Sequence, residues 1–225
     1  MEKAEVLLSG RLLFPFYMYR IAARRRTVMG KQYFRPGNML YPLPAVMVSC
    51  QRPGEKPNII TVAWAGTVCS SPAMVSISVR RERYSYEILK ETGEFVINLA
   101  TKELTRALDY CGVRSGRDVD KYQEMHLTVL PSKIVGAPGI LESPVNIECR
   151  VTKREVLGSH DLFLAEVKSV TVDDRYMNEN GKFELNQAGL ITYSHGEYFE
   201  LGKKIGSFGY SVRKPGNKKA RKKKR

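Results

Sequence analysis

The strongest constraint on the fold is a run of alternating side chains at residues 145–156. The run reads Val-Asn-Ile-Glu-Cys-Arg-Val-Thr-Lys-Arg-Glu-Val, and every second residue favours one face. This pattern predicts a half-buried antiparallel strand, and its length suits the wall of a β-barrel.

Further apolar, β-rich runs surround this one, whereas helical patterns are few. Helices are predicted at Ser85–Thr92, at Thr101–Tyr110 with Thr101 as its N-cap, and at Val119–Glu124. Strands and helices do not alternate, which argues against a doubly wound sheet and predicts a mainly β protein, a β-barrel with short helical insertions. The other predicted strands are Ala45–Cys50, Ile59–Trp64, Met74–Val79, Glu94–Leu99, Leu162–Val172 and Tyr198–Leu201.

The basic character of the chain is concentrated at its two ends. Of the net charge of +14, residues 213–225 contribute +9 and residues 1–29 contribute +4. We therefore predict a poorly ordered N-terminal extension at 1–29, one domain at 30–212 and a disordered basic tail at 213–225. The tail is interpreted as a solubilising segment or as a site of weak, salt-sensitive contacts with nucleic acid or an anionic surface. Because the body is nearly neutral, nucleic acid binding is not expected beyond the tail.

The chain shows no sign of export or of a membrane span. The apolar run Leu12–Arg20 is too short to cross a bilayer, and its positive charges follow it rather than precede it. The four cysteines are widely spaced, so reduced thiols in a cytoplasmic protein are expected. No metal-binding or acyl-transfer motif is present, and no metal site is predicted.

Bulky side chains disappear from the chain directly after its only tryptophan, Trp64. The stretch Ala65–Ser71 consists almost entirely of small residues, with hydroxyl groups and backbone N–H groups available to a ligand. Small residues after an apolar strand allow close approach to the backbone, which suits a flat, hydrogen-bonding ligand. A tight barrel corner is the alternative interpretation.

A cluster of arginines follows the next predicted strand. Arg80, Arg81 and Arg83 precede Ser85, where a helix is predicted to begin. Arginines and a hydroxyl at a helix N-terminus are typical of a phosphate site, because amide donors and the helix dipole both favour an anion. The alternative is a solvated charge cluster, whereas a ligand with a flat head and a phosphate tail would satisfy both features.

His160 is the histidine with the most suggestive position. It lies at a Gly-Ser turn that leads directly into a long apolar strand, and there it could contact a ligand or move a proton at the barrel rim. A hairpin-stabilising histidine is the alternative. His126 and His195 are interpreted as loop residues.

In their order along the chain, these motifs resemble the flavin reductase-like family, in particular its flavoredoxin branch of FMN-binding split-barrel proteins. The resemblance covers about residues 30–210. It rests on Asn58…Thr61-Val-Ala-Trp-Ala-Gly-Thr67, Pro72…Ile77-Ser-Val-Arg80…Arg83-Tyr-Ser85, Gly93-Glu-Phe-Val-Ile-Asn98, Cys111-Gly…Ser115-Gly…Asp120-Lys-Tyr122, Gly158-Ser-His-Asp161 and Tyr193…Gly196-Glu-Tyr198…Leu201-Gly202.

The resemblance implies a Greek-key split β-barrel that binds FMN at its rim, in a cleft completed by the second subunit of a homodimer. Arg83 and Ser85 would hold the phosphate, and Lys121 would add a positive charge near the phosphate or ring. Tyr193 would stack on the isoalloxazine, and His160 would approach it as the candidate catalytic residue. The full set of implied cofactor-binding residues is Asn58, Thr61, Ala63, Trp64, Ala65, Gly66, Thr67, Val68, Ser78, Val79, Arg80, Arg83, Ser85, Lys121, His160 and Tyr193.

The resemblance also implies electron transfer. The protein would be an NAD(P)H-dependent flavin or ferric reductase, or a flavoredoxin-like carrier that exchanges electrons with a redox partner protein or a small acceptor. NAD(P)H is a candidate donor, although no GxGxxG follows a strand. Two alternatives remain open: a non-catalytic barrel recruited to nucleic acid or acidic surfaces by its tail, and an enzyme similar to pyridoxamine-phosphate oxidase.

Overall fold

The structure is a computed structural model, and it describes residues 30–213. The predicted N-terminal extension and all but the first residue of the predicted basic tail lie outside these residues. The chain divides into two compact units, Met1–Met39 and Leu40–Arg225. Of the first unit, residues 30–39 are described, and they contain neither a helix nor a strand. All features reported below belong to the second unit.

Twelve strands and three short α-helices make up the described part of the second unit, with three short 3-10 helices near its end. The helices are α1 (Tyr84–Thr92), α2 (Thr105–Val113) and α3 (Lys121–Glu124). The strands are β1 (Leu43–Pro44), β2 (Val46–Cys50), β3 (Asn58–Val62), β4 (Ala65–Ser70), β5 (Ala73–Val79), β6 (Glu94–Leu99), β7 (Val129–Leu130), β8 (Gly139–Ile140), β9 (Val145–Leu157), β10 (His160–Val172), β11 (Ile191–Ser194) and β12 (Glu197–Glu200).

Seven of the strands form one antiparallel sheet in the order β3-β2-β6-β9-β10-β5-β4. Its centre is the long hairpin β9–β10, in which the alternating run of the sequence pairs over almost its whole length. A second sheet has the order β1-β11-β12, and β7 pairs with β8. The prediction of a mainly β fold with short helical insertions is confirmed.

Two cores lie on the two faces of β2, which is buried along its whole length. Val46, Val48 and Cys50 point into the sheet interior, where they join Phe95 and Phe163. The intervening residue Met47 points the other way, into a second core that α2, α3 and β11 cover. Because side chains alternate along a strand, one apolar strand can supply both layers.

Helix α2 begins later than predicted, and Thr101 is not its N-cap. Leu104 occupies that position, while Thr101 is buried and forms an isolated β-bridge with Leu190. The carbonyl of Thr101 accepts a hydrogen bond from the Leu104 N–H at 3.1 Å. Pairing with a distant residue therefore overrides the local capping preference of threonine.

The small-residue stretch after Trp64 forms a strand of its own. β4 pairs with β5 along one side and stands at the end of the seven-stranded order. Thr67 and Val68 are exposed there. β4 is stabilised by its backbone hydrogen bonds to β5 rather than by burial of its side chains. The search for apolar runs in the sequence therefore did not predict this strand.

Three observations concern membrane-spanning helices, the cysteines and metal binding. Within the described residues, no helix has the length and apolar character that crossing a membrane requires. The four cysteines are free thiols, three of them buried. Residues 30–213 bring together no group of three His, Cys, Asp or Glu side chains that could hold a metal ion.

Candidate functional site

An aromatic pair stands where β3 turns into β4. The backbone bends at Ala63 and Trp64, which leaves the indole 39% exposed. The indole lies nearly parallel to the imidazole of His160, with ring centroids 6.1 Å apart and planes 11° from parallel. The Trp64 carbonyl accepts a hydrogen bond from the Ser78 N–H at 2.8 Å, which fixes the bend against β5. The structure thus brings Trp64, Ser78 and His160 together.

The environment of His160 favours an uncharged imidazole. Partial burial lowers the pKa of His160, the charge of Arg80 lowers it further, and Glu82 opposes this shift. At neutral pH the ring is therefore neutral, with one nitrogen as donor and the other as acceptor. Its Nδ1 lies 2.9 Å from the Ser159 hydroxyl.

The residue after His160 anchors this end of β10. Asp161 is fully buried and accepts hydrogen bonds from Tyr86 Oη at 2.7 Å and from Arg81 Nε at 2.8 Å. Burial raises the pKa of Asp161, but the hydrogen bonds from Tyr86 and Arg81 outweigh burial and keep the pKa below its usual value. Because Tyr86 belongs to α1, the carboxylate ties the strand that carries His160 to the start of that helix.

The N-terminus of α1 opens into a small cleft of about 150 Å³, which we call the cationic cleft. Its lining includes four predicted site residues and two arginines that the sequence analysis did not propose. These are Asn58, Arg83, Ser85, Lys121, Arg114 and Arg117.

Two buried polar side chains form the wall of the cationic cleft beside the helix. Asn58 Nδ2 donates a hydrogen bond to Ser85 Oγ at 2.7 Å. Arg83 occupies the N-cap position of α1 with an extended backbone, and its side chain makes no capping hydrogen bond. The first N–H groups of the helix therefore lack a capping side chain, and with the helix dipole they favour an anion in the cleft.

Lys121, the first residue of α3, also lines the cationic cleft. Its side chain is buried, and Nζ donates to the carbonyls of Ile59 at 2.6 Å and Cys111 at 2.8 Å. Burial lowers the pKa of Lys121 to about 8, and Arg83 contributes in the same direction. The amine therefore changes charge close to physiological pH, and a neighbouring anion would favour its protonated form.

One short segment connects the aromatic pair to the cationic cleft. β5, which Trp64 contacts, ends at Val79, and residues 80–83 lead directly to α1. Arg80 belongs to this segment and lies near enough to His160 to lower its pKa. The aromatic pair, which suits a flat ring, and the cationic cleft, which favours an anion, are thus neighbours along the barrel rim.

The remaining predicted residues occupy other positions. Thr61 turns towards α2 and donates to the carbonyl of Leu108, and Val79 is buried in the sheet interior. Tyr193 lies on β11 in an aromatic cluster with Tyr41 and Tyr198, at ring-centroid distances of 6.1 and 5.8 Å. The rest follow the rim from the bend into β4: Ala63, Ala65, Gly66, Thr67 and Val68.

A more spacious cleft than the cationic cleft lies elsewhere. It encloses about 720 Å³ between the start of α2, the residues after α3 and residues 187–189. None of the predicted site residues lines it, and its charged side chains are of both signs. We therefore assign the functional site to the smaller cationic cleft and the adjoining aromatic pair.

The two additional arginines lie in a loop whose basic character is visible in the sequence. Arg114 and Arg117 flank Ser115 and Gly116 directly after α2. Two arginines around a small pair at the end of a helix indicate a basic loop. The sequence alone did not show that this loop folds onto the start of α1.

The comparison with known families identifies the chain. A family model described as "Flavin reductase like domain" matches residues 38–202, which is most of the chain. The chain belongs to the flavin reductase-like family. An uncharacterized protein of Archaeoglobus fulgidus is 34% identical over 160 residues, which are 71% of this chain and 88% of that protein.

Solved structures of flavin reductase-like proteins share this fold. The flavoredoxin of Desulfovibrio vulgaris (Miyazaki F) superposes with a TM-score of 0.75 at 28% identity, covering 81% of this chain and all of that chain. A putative flavin reductase with a split-barrel domain from Shewanella frigidimarina matches with a TM-score of 0.67 at 19% identity, over 75% of this chain and 86% of that one. The predicted split β-barrel is confirmed.

Proposed function

We propose that this flavin reductase-like protein binds FMN at its barrel rim and transfers electrons through it. The observation that carries this proposal is the convergence of Asn58, Arg83, Ser85 and Lys121 on one cleft at a helix N-terminus. The local motif indicated Arg83 and Ser85, and the family resemblance implied Asn58 and Lys121; the four are spread over more than sixty positions of the chain. The flavoredoxin likeness supports the same cofactor class.

The bound flavin would supply the redox chemistry, as cofactors do in general. Arg83 and Ser85 would bind the phosphate with the first N–H groups of α1. Trp64 and His160 would contact the ring and exclude water from one side of it. The neutral His160 would offer the ring a hydrogen bond rather than a charge.

We propose the reductase as the main role, with NAD(P)H as electron donor, and the flavoredoxin-like carrier as the second role. The second role is favoured by the likeness to flavoredoxin. In both roles we propose a cytoplasmic homodimer that delivers electrons to a redox partner protein or a small acceptor. The reduced state of the four cysteines fits that compartment.

The visible absorption spectrum of the purified full-length chain tests this function. We expect the two-banded flavin spectrum in the protein fraction after FMN is added and free FMN is removed by gel filtration. Bleaching by NADH or NADPH without air would support the reductase, whereas bleaching only by a reduced partner would support the carrier.

One outcome of these experiments would reject the flavin function. If FMN does not stay with the protein and NAD(P)H is not oxidised when free FMN is supplied, the flavin function is wrong. The non-catalytic barrel with a basic tail would then be the better hypothesis. Its own test is binding to nucleic acid or acidic vesicles that disappears when residues 213–225 are removed.

A further inference from the structure

We propose that residues 114–117 form a phosphate clamp, which makes the flavin site selective for a flavin that ends in a single phosphate. The inference rests on the proposed function and adds two binding residues, Arg114 and Arg117, and a ligand preference. It predicts tight binding of FMN and weak binding of both riboflavin and FAD.

The clamp loop packs directly onto the start of α1. A Cβ atom on Gly116 would lie 2.1 Å from Asn58 Oδ1 and 2.7 Å from Tyr84 Cδ1, so only glycine allows this approach. The Arg117 guanidinium lies 5.3 Å from the centroid of the Tyr84 ring, and its Nη1 donates to the Glu82 carbonyl at 3.4 Å. Cation–π contact and a backbone acceptor thus hold the guanidinium beside the helix N-terminus.

No carboxylate of residues 30–213 forms a salt bridge with the positive side chains that line the cationic cleft. Within residues 30–213, neither Arg83 nor Arg114 nor Arg117 forms a salt bridge, and Lys121 contacts only backbone carbonyls. The one carboxylate in the lining, Glu82, is already paired with Arg80 at 3.2 Å. A phosphate monoester, which carries nearly two negative charges at pH 7, fits this excess of positive charge.

The dimensions of the cationic cleft favour one phosphate over a dinucleotide. Its volume of about 150 Å³ is below the ~300 Å³ at which pockets for whole small molecules begin. It therefore suits a terminal group rather than a pyrophosphate with a nucleoside.

The space beyond the clamp is unsuited to a second phosphate. A neighbouring cleft of about 430 Å³ shares Asn58, Tyr84, Gly116 and Arg117 with the cationic cleft. Three carboxylates line it, Glu55, Asp118 and Asp120, against two cations, Lys56 and Arg117, and Lys56 pairs with Asp120 at 3.2 Å. The one carboxylate in excess opposes the additional phosphate of FAD in this space.

The test compares the dissociation constants of FMN, riboflavin and FAD for the full chain and three variants. Arg114→Gln and Arg117→Gln remove one clamp charge each. Arg150→Gln is the matched control, because Arg150 is an exposed arginine on β9 that pairs with Glu94 and does not line the cleft. We expect each clamp variant to lose about tenfold or more in FMN affinity and less than about twofold in riboflavin affinity. The control should change neither, and the unmodified chain should bind FMN at least about tenfold tighter than FAD.

Inorganic phosphate tests the clamp without any substitution. It should weaken FMN binding to the unmodified chain and leave riboflavin binding unchanged. Equal losses for FMN and riboflavin in the clamp variants, or equal affinities of the unmodified chain for FMN and FAD, would overturn the clamp.

The two proposals fail in different ways. Equal binding of FMN and riboflavin by the unmodified chain would leave the flavin function intact and remove the clamp. Binding of none of the three flavins would remove the proposed function and the clamp with it.

Discussion

At the residue scale, Trp64 and Ser85 lie at the two ends of the proposed flavin site, Trp64 at the proposed ring end and Ser85 at the proposed phosphate end. We expect Trp64→Ala to weaken the binding of FMN and riboflavin alike, since stacking on an aromatic side chain contributes about 1–3 kcal/mol to binding of a planar base. Ser85→Ala should weaken FMN more than riboflavin. Titration by flavin fluorescence measures both effects. Thermal unfolding is the control for Trp64→Ala, because an indole that is 39% exposed should contribute little to stability. Unchanged FMN affinity in both variants would remove this site assignment.

Lys121 should give FMN binding a pH dependence near neutrality. Burial lowers the pKa of Lys121 to about 8, so the amine is cationic below that pH and loses its charge above it. Because the phosphate favours the charged amine, FMN affinity should fall as pH rises from 7 to 9, by at most about tenfold per pH unit for one proton. The phosphate is already mainly dianionic over this range, since its second pKa is about 6.

Riboflavin and the variant Lys121→Met are the controls for this pH effect. The affinity of the unmodified chain for riboflavin should not fall between pH 7 and 9. The affinity of the Lys121→Met variant for FMN should not fall over this range either. Isothermal titration calorimetry at constant ionic strength measures all three combinations. A flat FMN profile for the unmodified chain would show that the charge of Lys121 does not act on the phosphate.

Sequence reasoning proposed together those residues whose neighbours in the chain also line the cationic cleft. Arg83 and Ser85 were predicted from one local motif, and the structure places them together in the cationic cleft. Arg114 and Arg117 were not predicted, because their role depends on a loop that folds onto residues about thirty positions earlier. Physical proximity of this kind is a property of the fold and leaves no local pattern.

At the element scale, seven strands with an apolar run were predicted, whereas the sequence analysis missed β1, β4, β7, β8 and β11. β9 and β10 carry thirteen residues each, enough for alternation to stand out. β4 has small side chains, and β11 has four residues, so neither carries such a pattern. The start of α2 was predicted four residues too early, because the bridge between Thr101 and Leu190 lies outside any local window.

The hairpin β9–β10 also contributes to the main core of the barrel. Phe163 on β10 is fully buried and meets the Tyr86 ring edge-on at 5.9 Å. We expect Phe163→Ala to lower the free energy of unfolding by about 3–5 kcal/mol, because a large cavity replaces the ring. Phe199→Ala on β12 is the matched control and should cost less than about 1 kcal/mol, since that side chain is half exposed. Urea unfolding measures both, and similar losses would contradict the central position of the hairpin.

At the scale of the whole molecule, the end of the described chain carries a run of exposed apolar side chains. Ile205, Phe208, Tyr210 and Val212 are all exposed, and residues 201–213 contain no strand. Large exposed apolar patches typically mark sites of protein association. We propose that this segment, residues 203–213, packs against the second copy of the chain in the homodimer.

Removal of residues 203–225 should therefore convert a dimer into a monomer, while removal of residues 214–225 alone should not. Sedimentation equilibrium at micromolar concentration measures both truncations beside the full chain. Because the family resemblance implies a flavin cleft that a second subunit completes, the monomer should also bind FMN more weakly. The double variant Ile205→Ser/Phe208→Ser tests the same contact with every other residue in place. A dimer that survives both the longer truncation and this double variant would assign the subunit interface to another face of the barrel.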